Sequence, residues 1–169
     1  MCAIVDSNIV SELWEQGGNP AGRGFRNVID KGRLPLAFGG SNLKQELTRM
    51  NTSKPSRTAR WIQQLQVAGR LISVSDREVD ERTQDLLHMR QSSVDIRSND
   101  HHILALAQVS GARLLYTNDQ HLTEDFRNAK LINKPRGRVY NTRLTSDFNK
   151  QRRLLLERDD LCARSKTSH

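Results

Sequence analysis

The stretch LLYTNDQHL, residues 114–122, decides how this chain is read. Its apolar residues Leu114, Leu115 and Tyr116 lead through Thr117 and Asn118 onto Asp119, and a polar turn follows. An apolar strand that ends on a carboxylate has two explanations. Asp is a favoured helix N-cap, so a helix begins there. Alternatively, the carboxylate serves a ligand, because ligands of open α/β sheets sit just beyond the carboxyl ends of the strands.

Working outward, the pattern recurs. The run CAIV (2–5) is a short buried strand that meets Asp6, and SNIVSELW places Ile9, Val10, Leu13 and Trp14 on one helical face before Gly17-Gly18. A brief helix carrying Phe25, Val28 and Ile29 ends at Gly32, and LPLAF (34–38) is the next strand, with Pro35 an awkward member because it lacks the donor that a central strand needs. NLKQELTRM (42–50) reads as a helix carrying Glu46; a helix with Trp61, Ile62 and Leu65 precedes the strand LISVS (71–75). DREVDERTQDLLHM is a long helix, QSSVDIRSN a loop, and the helix opened by Asp100 runs through HHILALAQVSGA to Gly111 and returns to the starting strand. A last strand includes Val139 and Tyr140. Strands separated by helices imply βαβ units and a parallel sheet of about five strands covered on both faces, an α/β/α sandwich.

At 169 residues and 36% hydrophobic content the chain suits one domain, expected over residues 1–142, followed by a basic extension, 143–169, part helical and part disordered. Cys2 and Cys162 stand at opposite ends, give no disulfide framework or metal-ligand cluster, and suit a reducing compartment. No apolar run approaches the roughly 18 residues of a membrane span, and Asp6 interrupts the N-terminus too early for a signal peptide. A cytoplasmic protein without membrane contact is expected. The net charge of +8 is concentrated late: residues 130–169 hold eleven Lys and Arg against four Asp and Glu, while residues 1–129 hold sixteen against fifteen. KPRGR (134–138) and KQRR (150–153) therefore suit either a polyanion or simple solvation as a basic tail.

In a parallel sheet the ends of neighbouring strands and the starts of their following helices share one edge. Asp6, Asp100 and Asp119 are thereby brought to one place, with Glu46 leaning over it. Taken singly, each Asp reads best as an N-cap and Glu46 as a surface helix residue. Taken jointly they share an edge for which capping gives no reason. Close carboxylates repel and raise one another's pKa, and hard cations such as Mg²⁺ or Mn²⁺ relieve that with oxygen ligands.

These residues resemble a known family. IVDSNIV (4–10), the Glu of NLKQEL, the Asp of SNDHHILALAQVSGA and the run LLYTND are similar, in order and spacing, to the acidic motifs of PIN-domain nucleases; the resemblance covers roughly residues 2–141. Its most specific part is residues 100–119, and the Glu46 match is its weakest. It implies a Rossmann-like α/β/α fold and a Mg²⁺- or Mn²⁺-dependent endoribonuclease with Asp6, Glu46, Asp100 and Asp119 as the metal-binding and catalytic set. Ser7, Asn8 and Thr117 become polar neighbours that orient water or ligands. Many bacterial members are toxins of toxin–antitoxin pairs, so the implied partners are RNA, a cognate antitoxin and a second copy of the chain. Metal held by the aspartates would activate water, with Glu46 completing the ligation or accepting the proton. Basic residues would hold the RNA, with Arg97, Lys134, Arg136 and Arg138 as candidates, and with only 5% aromatics the grip should be electrostatic rather than stacked.

Many relatives carry a further acid two positions after the last Asp; His121 stands there, and Asp125 replaces it only if the backbone turns suitably. His101 and His102 invite a transition-metal reading, but adjacent helical residues do not face the same way, so one inward and one outward ring is the expectation. Haloacid-dehalogenase-like phosphatases need an Asp where Asn8 stands. Response-regulator receivers share the Lys134-Pro135 feature but need a paired acid where Ser7 stands. The rival from another class is a nucleic-acid-binding or scaffold protein with a PIN-like fold and little catalysis.

Overall fold

The computed structural model describes residues 2–14, 19–49, 57–91, 95–133 and 135–143. Its elements alternate as the sequence pattern requires. β1 (Ala3–Val5) leads into a 3-10 helix (Ser7–Leu13); α1 (Pro20–Asp30), β2 (Leu36–Phe38), α2 (Ser41–Arg49), α3 (Arg57–Val67), β3 (Leu71–Ser73) and α4 (Asp76–Gln91) follow. α5 (His101–Ser110), β4 (Leu114–Tyr116), α6 (Gln120–Arg127) and β5 (Arg138–Tyr140) complete the order. The sheet is five-stranded and all parallel, in the order β3-β2-β1-β4-β5, and the helices make it a Rossmann-like α/β/α sandwich. Alanine 3 lies level with Leu36 on one side and Leu114 on the other, and Val5 with Tyr116.

β1 and β4 are wholly buried, as continuous apolar runs in a parallel sheet must be. On one face Phe25 of α1 packs between Tyr116 and Tyr140, with ring centroids 4.8 and 5.1 Å away. Gly22 allows the approach: a Cβ there would stand 2.7 Å from the Glu12 carbonyl oxygen. α2, α4 and α5 pack on one another. From His101 to Ala107 every residue of α5 is buried, and Gly111 ends the helix in the left-handed region at φ 73°.

Three expectations change in detail. SNIVSELW is a 3-10 helix rather than an α-helix, though Ile9, Val10 and Leu13 are the buried face. Each strand is three residues long, and Pro35 precedes β2, where its carbonyl accepts from Ala3 N at 3.0 Å. Cys2 is buried and disulfide-bonded rather than a reduced thiol, since distance along the sequence does not forbid a bond. Among the described residues no helix is long and apolar enough to cross a membrane. Of the extension, 143–169, only Arg143 is described, so Cys162 and the expected tail helix lie outside the described residues.

Candidate active site

The strand order reverses direction between β1 and β4, because β1 is followed by its neighbour β2 on one side and β3 by a crossover to β4 on the other. Such a switch point opens a crevice at the carboxyl edge of the sheet. Asp6 and Asp119 stand on its two lips.

Asp6 is the N-cap of the 3-10 helix: Oδ1 accepts from Asn8 N at 3.3 Å and Oδ2 from the Thr117 hydroxyl at 2.6 Å. Thr117 Oγ1 in turn accepts from Asp119 N at 3.0 Å, so one hydroxyl ties the end of β1 to the end of β4. Asp119 caps α6, with Oδ1 accepting from Leu122 N at 2.6 Å. Asp100 occupies the N-cap position of α5 but makes no capping hydrogen bond. The capping reading is thus correct for Asp6 and Asp119 and incorrect for Asp100. A cap does not use up a carboxylate, which offers about four lone-pair directions.

Glu46 reaches the edge because α2 is held from α4. Gly40 N donates to Asp76 Oδ1 at 2.9 Å, and Ser41 N and Oγ donate to Asp80 at 2.9 and 2.6 Å. Leu43 and Leu47 bury one face of α2, and Glu46 sits beside it, accepting from Ser7 Oγ at 2.8 Å. The Glu46 carboxylate also lies 3.4 Å from His102 Nε2.

The electrostatics follow from this packing. Burial pushes the Asp6 carboxyl up to about 6 against the lowering effect of its bonds from Thr117 and Asn8, and the charges of Asp100 and Glu46 push the same way. Burial also raises Asp100; the charges of Asp119 and Glu46 add to that, while His102 and His101 oppose it. Asp100 and Glu46 thus act on Asp6, and Asp119 and Glu46 act on Asp100, along a single edge. Among the described residues no three of these side chains already stand at ligating distance from a common point.

The candidate RNA-binding residues are placed less favourably. Arg97 is held by Glu124 at 2.6 Å and by Asp95 at 3.5 Å. Arg138 is the first residue of β5, level with Leu114, so it lies at the amino edge of the sheet, away from the carboxylates. Arg136 Nε donates to the carbonyl of Arg127, the last residue of α6, at 3.2 Å. Lys134 lies outside the described residues.

Three features escape sequence reasoning. His101 and His102 are both buried, at 4% and 7% exposure, where one outward ring was expected; α5 is enclosed on every side, so no outward face exists in its first turn. Asp125 turns away from the site, and its carboxylate takes Arg97 N at 3.1 Å and Ser98 N at 2.8 Å, clamping the loop before Asp100. Glu12 accepts from Tyr116 OH and Asn118 Nδ2, each at 2.7 Å, and from Thr142 Oγ1 at 2.5 Å, fixing the turn that carries Asp119. Periodicity signals none of these, because the bonds of Asp125 and Glu12 and the pairing of His102 with Glu46 join residues more than twenty positions apart. His121 is exposed on α6.

No protein-family model matches the chain, and none of the curated proteins matches its sequence.

Proposed function

We propose that this chain is a metal-dependent nuclease of the PIN type that hydrolyses RNA phosphodiester bonds. The observation that carries the reading is that Asp6, Glu46, Asp100 and Asp119 lie along one edge at the switch point, where burial and neighbouring carboxylates raise both Asp6 and Asp100. Four oxygen-donor side chains that repel one another are a donor set for Mg²⁺ or Mn²⁺. Asp6, Asp100 and Asp119 would hold the ion and Glu46 would complete the set. A bound divalent cation supplies Lewis acidity at the scissile phosphate and a water of lowered pKa. Within the chain, Thr117 keeps Asp6 and Asp119 in register and Ser7 orients Glu46, which, where it does not ligate the ion, would accept a proton from water.

A toxin role extends this reading. A small adjoining reading frame encoding a DNA-binding antitoxin would support it. The competing reading, a binding or scaffold protein, draws on His102 beside Glu46, which offers a way to balance charge without metal.

Asp119→Asn separates ligand from cap. Asn caps a helix nearly as well as Asp, and the change removes a charge that acts on Asp100, so the metal-free variant should melt no lower than wild type. Wild type should cleave RNA with Mn²⁺, stop in excess chelator, and gain about 2.7 kcal/mol at a hundredfold excess of Mn²⁺ over its Kd. The variant should lose cleavage and most of that gain. Cleavage undiminished in chelator, or a variant that cleaves and is stabilised like wild type, rejects the assignment.

A further inference from the structure

We infer that the His102 imidazole is a nitrogen ligand of the cation site, which makes the site a mixed nitrogen and oxygen site that favours Mn²⁺ over Mg²⁺. The inference rests on the metal-dependent reading above and adds a ligand outside its four carboxylates.

The imidazole is nine-tenths buried, two residues after Asp100 in the first turn of α5, and its Nε2 is buried without a hydrogen-bond partner. A buried polar atom left unpaired is costly, and native structures seldom keep one without a purpose. The same Nε2 lies 3.4 Å from Glu46 Oε2, within ion-pair reach yet without hydrogen-bond alignment. Two donors that share one ion through bonds of about 2.1 Å stand about 3.0–3.4 Å apart, which is the spacing seen here. His102 also acts on the charge of Asp100, two residues before it, while among the described residues no three of these acids and histidines yet converge on one point.

His101 Nε2 is likewise buried without a hydrogen-bond partner, so His101 is distinguished from His102 by its neighbours alone. Its Nδ1 lies 3.0 Å from the Asn99 carbonyl oxygen, anchoring it to the loop, and adjacent helical residues do not face the same neighbour. Only His102 is paired with Glu46.

Ligand type sets the preference. Mg²⁺ keeps oxygen ligands and much of its water, whereas imidazole suits transition metals, and Mn²⁺ accepts both kinds of donor. A single nitrogen among carboxylates therefore tilts the site toward Mn²⁺.

The test uses the full chain and Mn²⁺ alone. Titration followed by electron paramagnetic resonance gives the affinity, and pulsed measurements on the bound ion detect coupling to ¹⁴N. Wild type should show that coupling, replaced by ¹⁵N coupling when histidine is ¹⁵N-labelled. His102→Gln should lose it and bind Mn²⁺ at least about tenfold more weakly, with a smaller loss for Mg²⁺. His101→Gln should keep it. Should His102→Gln fail to fold, retention of the coupling through His88→Gln, His101→Gln, His121→Gln and His169→Gln, each made singly, assigns it to His102, and loss in any of them overturns the assignment. Mn²⁺ bound with no histidine coupling, or with coupling that survives His102→Gln, overturns the imidazole ligand and leaves the carboxylate site standing. Failure of wild type to bind Mn²⁺ at all overturns both.

Discussion

At the scale of single residues, Asp6 is the most stressed group in the site. Its carboxyl is 3% exposed and burial lifts it from 3.8 to about 6, so between those values the folded state holds a proton that the unfolded chain has released. Stability of the metal-free protein therefore falls as pH rises through that window. The loss is complete above about pH 6. A shift of about two units corresponds to about 3 kcal/mol. Asp6→Asn should flatten the pH dependence of unfolding between pH 4 and 6.5 and raise metal-free stability at pH 7 by about 1–3 kcal/mol, read by chemical denaturation without metal. A variant less stable than wild type at pH 7 would mean that the bonds from Thr117 and Asn8 outweigh burial. Asp6 was legible in the sequence because an apolar strand ran into it. His102 was not, because helical periodicity assigns faces only where a helix has an outside, and α5 has none over its first seven residues.

At the scale of elements, the site is held by segments that reach across the fold. α5 presents Asp100 at its first turn, but the approach of the chain to that turn is set by Asp125 of α6. That carboxylate is 2% exposed and takes two backbone donors, Arg97 N and Ser98 N. Asp125→Ala should leave both unpaired and cost about 2–4 kcal/mol. Asp125→Asn keeps one acceptor and should cost less. Both should lower cleavage by displacing Asp100, and the Ala variant should do so more, with denaturation curves and single-turnover rates as the measurements. If Asp125→Ala unfolds the protein early but leaves the rate unchanged, the loop does not position Asp100. The alternation of strands and helices was readable because buried parallel strands are continuous apolar runs. Their three-residue lengths were not, since polar and proline neighbours end pairing earlier than hydrophobicity does, as Pro35 does before β2. The 3-10 winding of residues 7–13 was likewise hidden, because Ile9, Val10 and Leu13 share a face in either helix.

At the scale of the whole molecule, the basic residues and the candidate site are separated. The carboxylates occupy the carboxyl edge of the sheet, while Arg136 and Arg138 lie at or just before the start of β5, at the other edge. Along the sheet that separation is roughly 10 Å, from a rise of about 3.3 Å per residue over a three-residue strand. A dinucleotide holds a single phosphodiester, which leaves no phosphate for the arginines once it is seated at the carboxylates, whereas a long single strand can pass from one edge to the other. Replacing Arg136 and Arg138 by Gln should therefore leave dinucleotide affinity unchanged. For a long single-stranded RNA the same double change should weaken binding and reduce the salt slope by at most about 1.4, from about 0.7 for each lost phosphate contact. Binding isotherms for both RNAs at several salt concentrations measure it. Equal weakening for the dinucleotide would bring the arginines into the site itself. No change for either RNA would make them a solvated surface, and the grip on RNA would then fall to other cations.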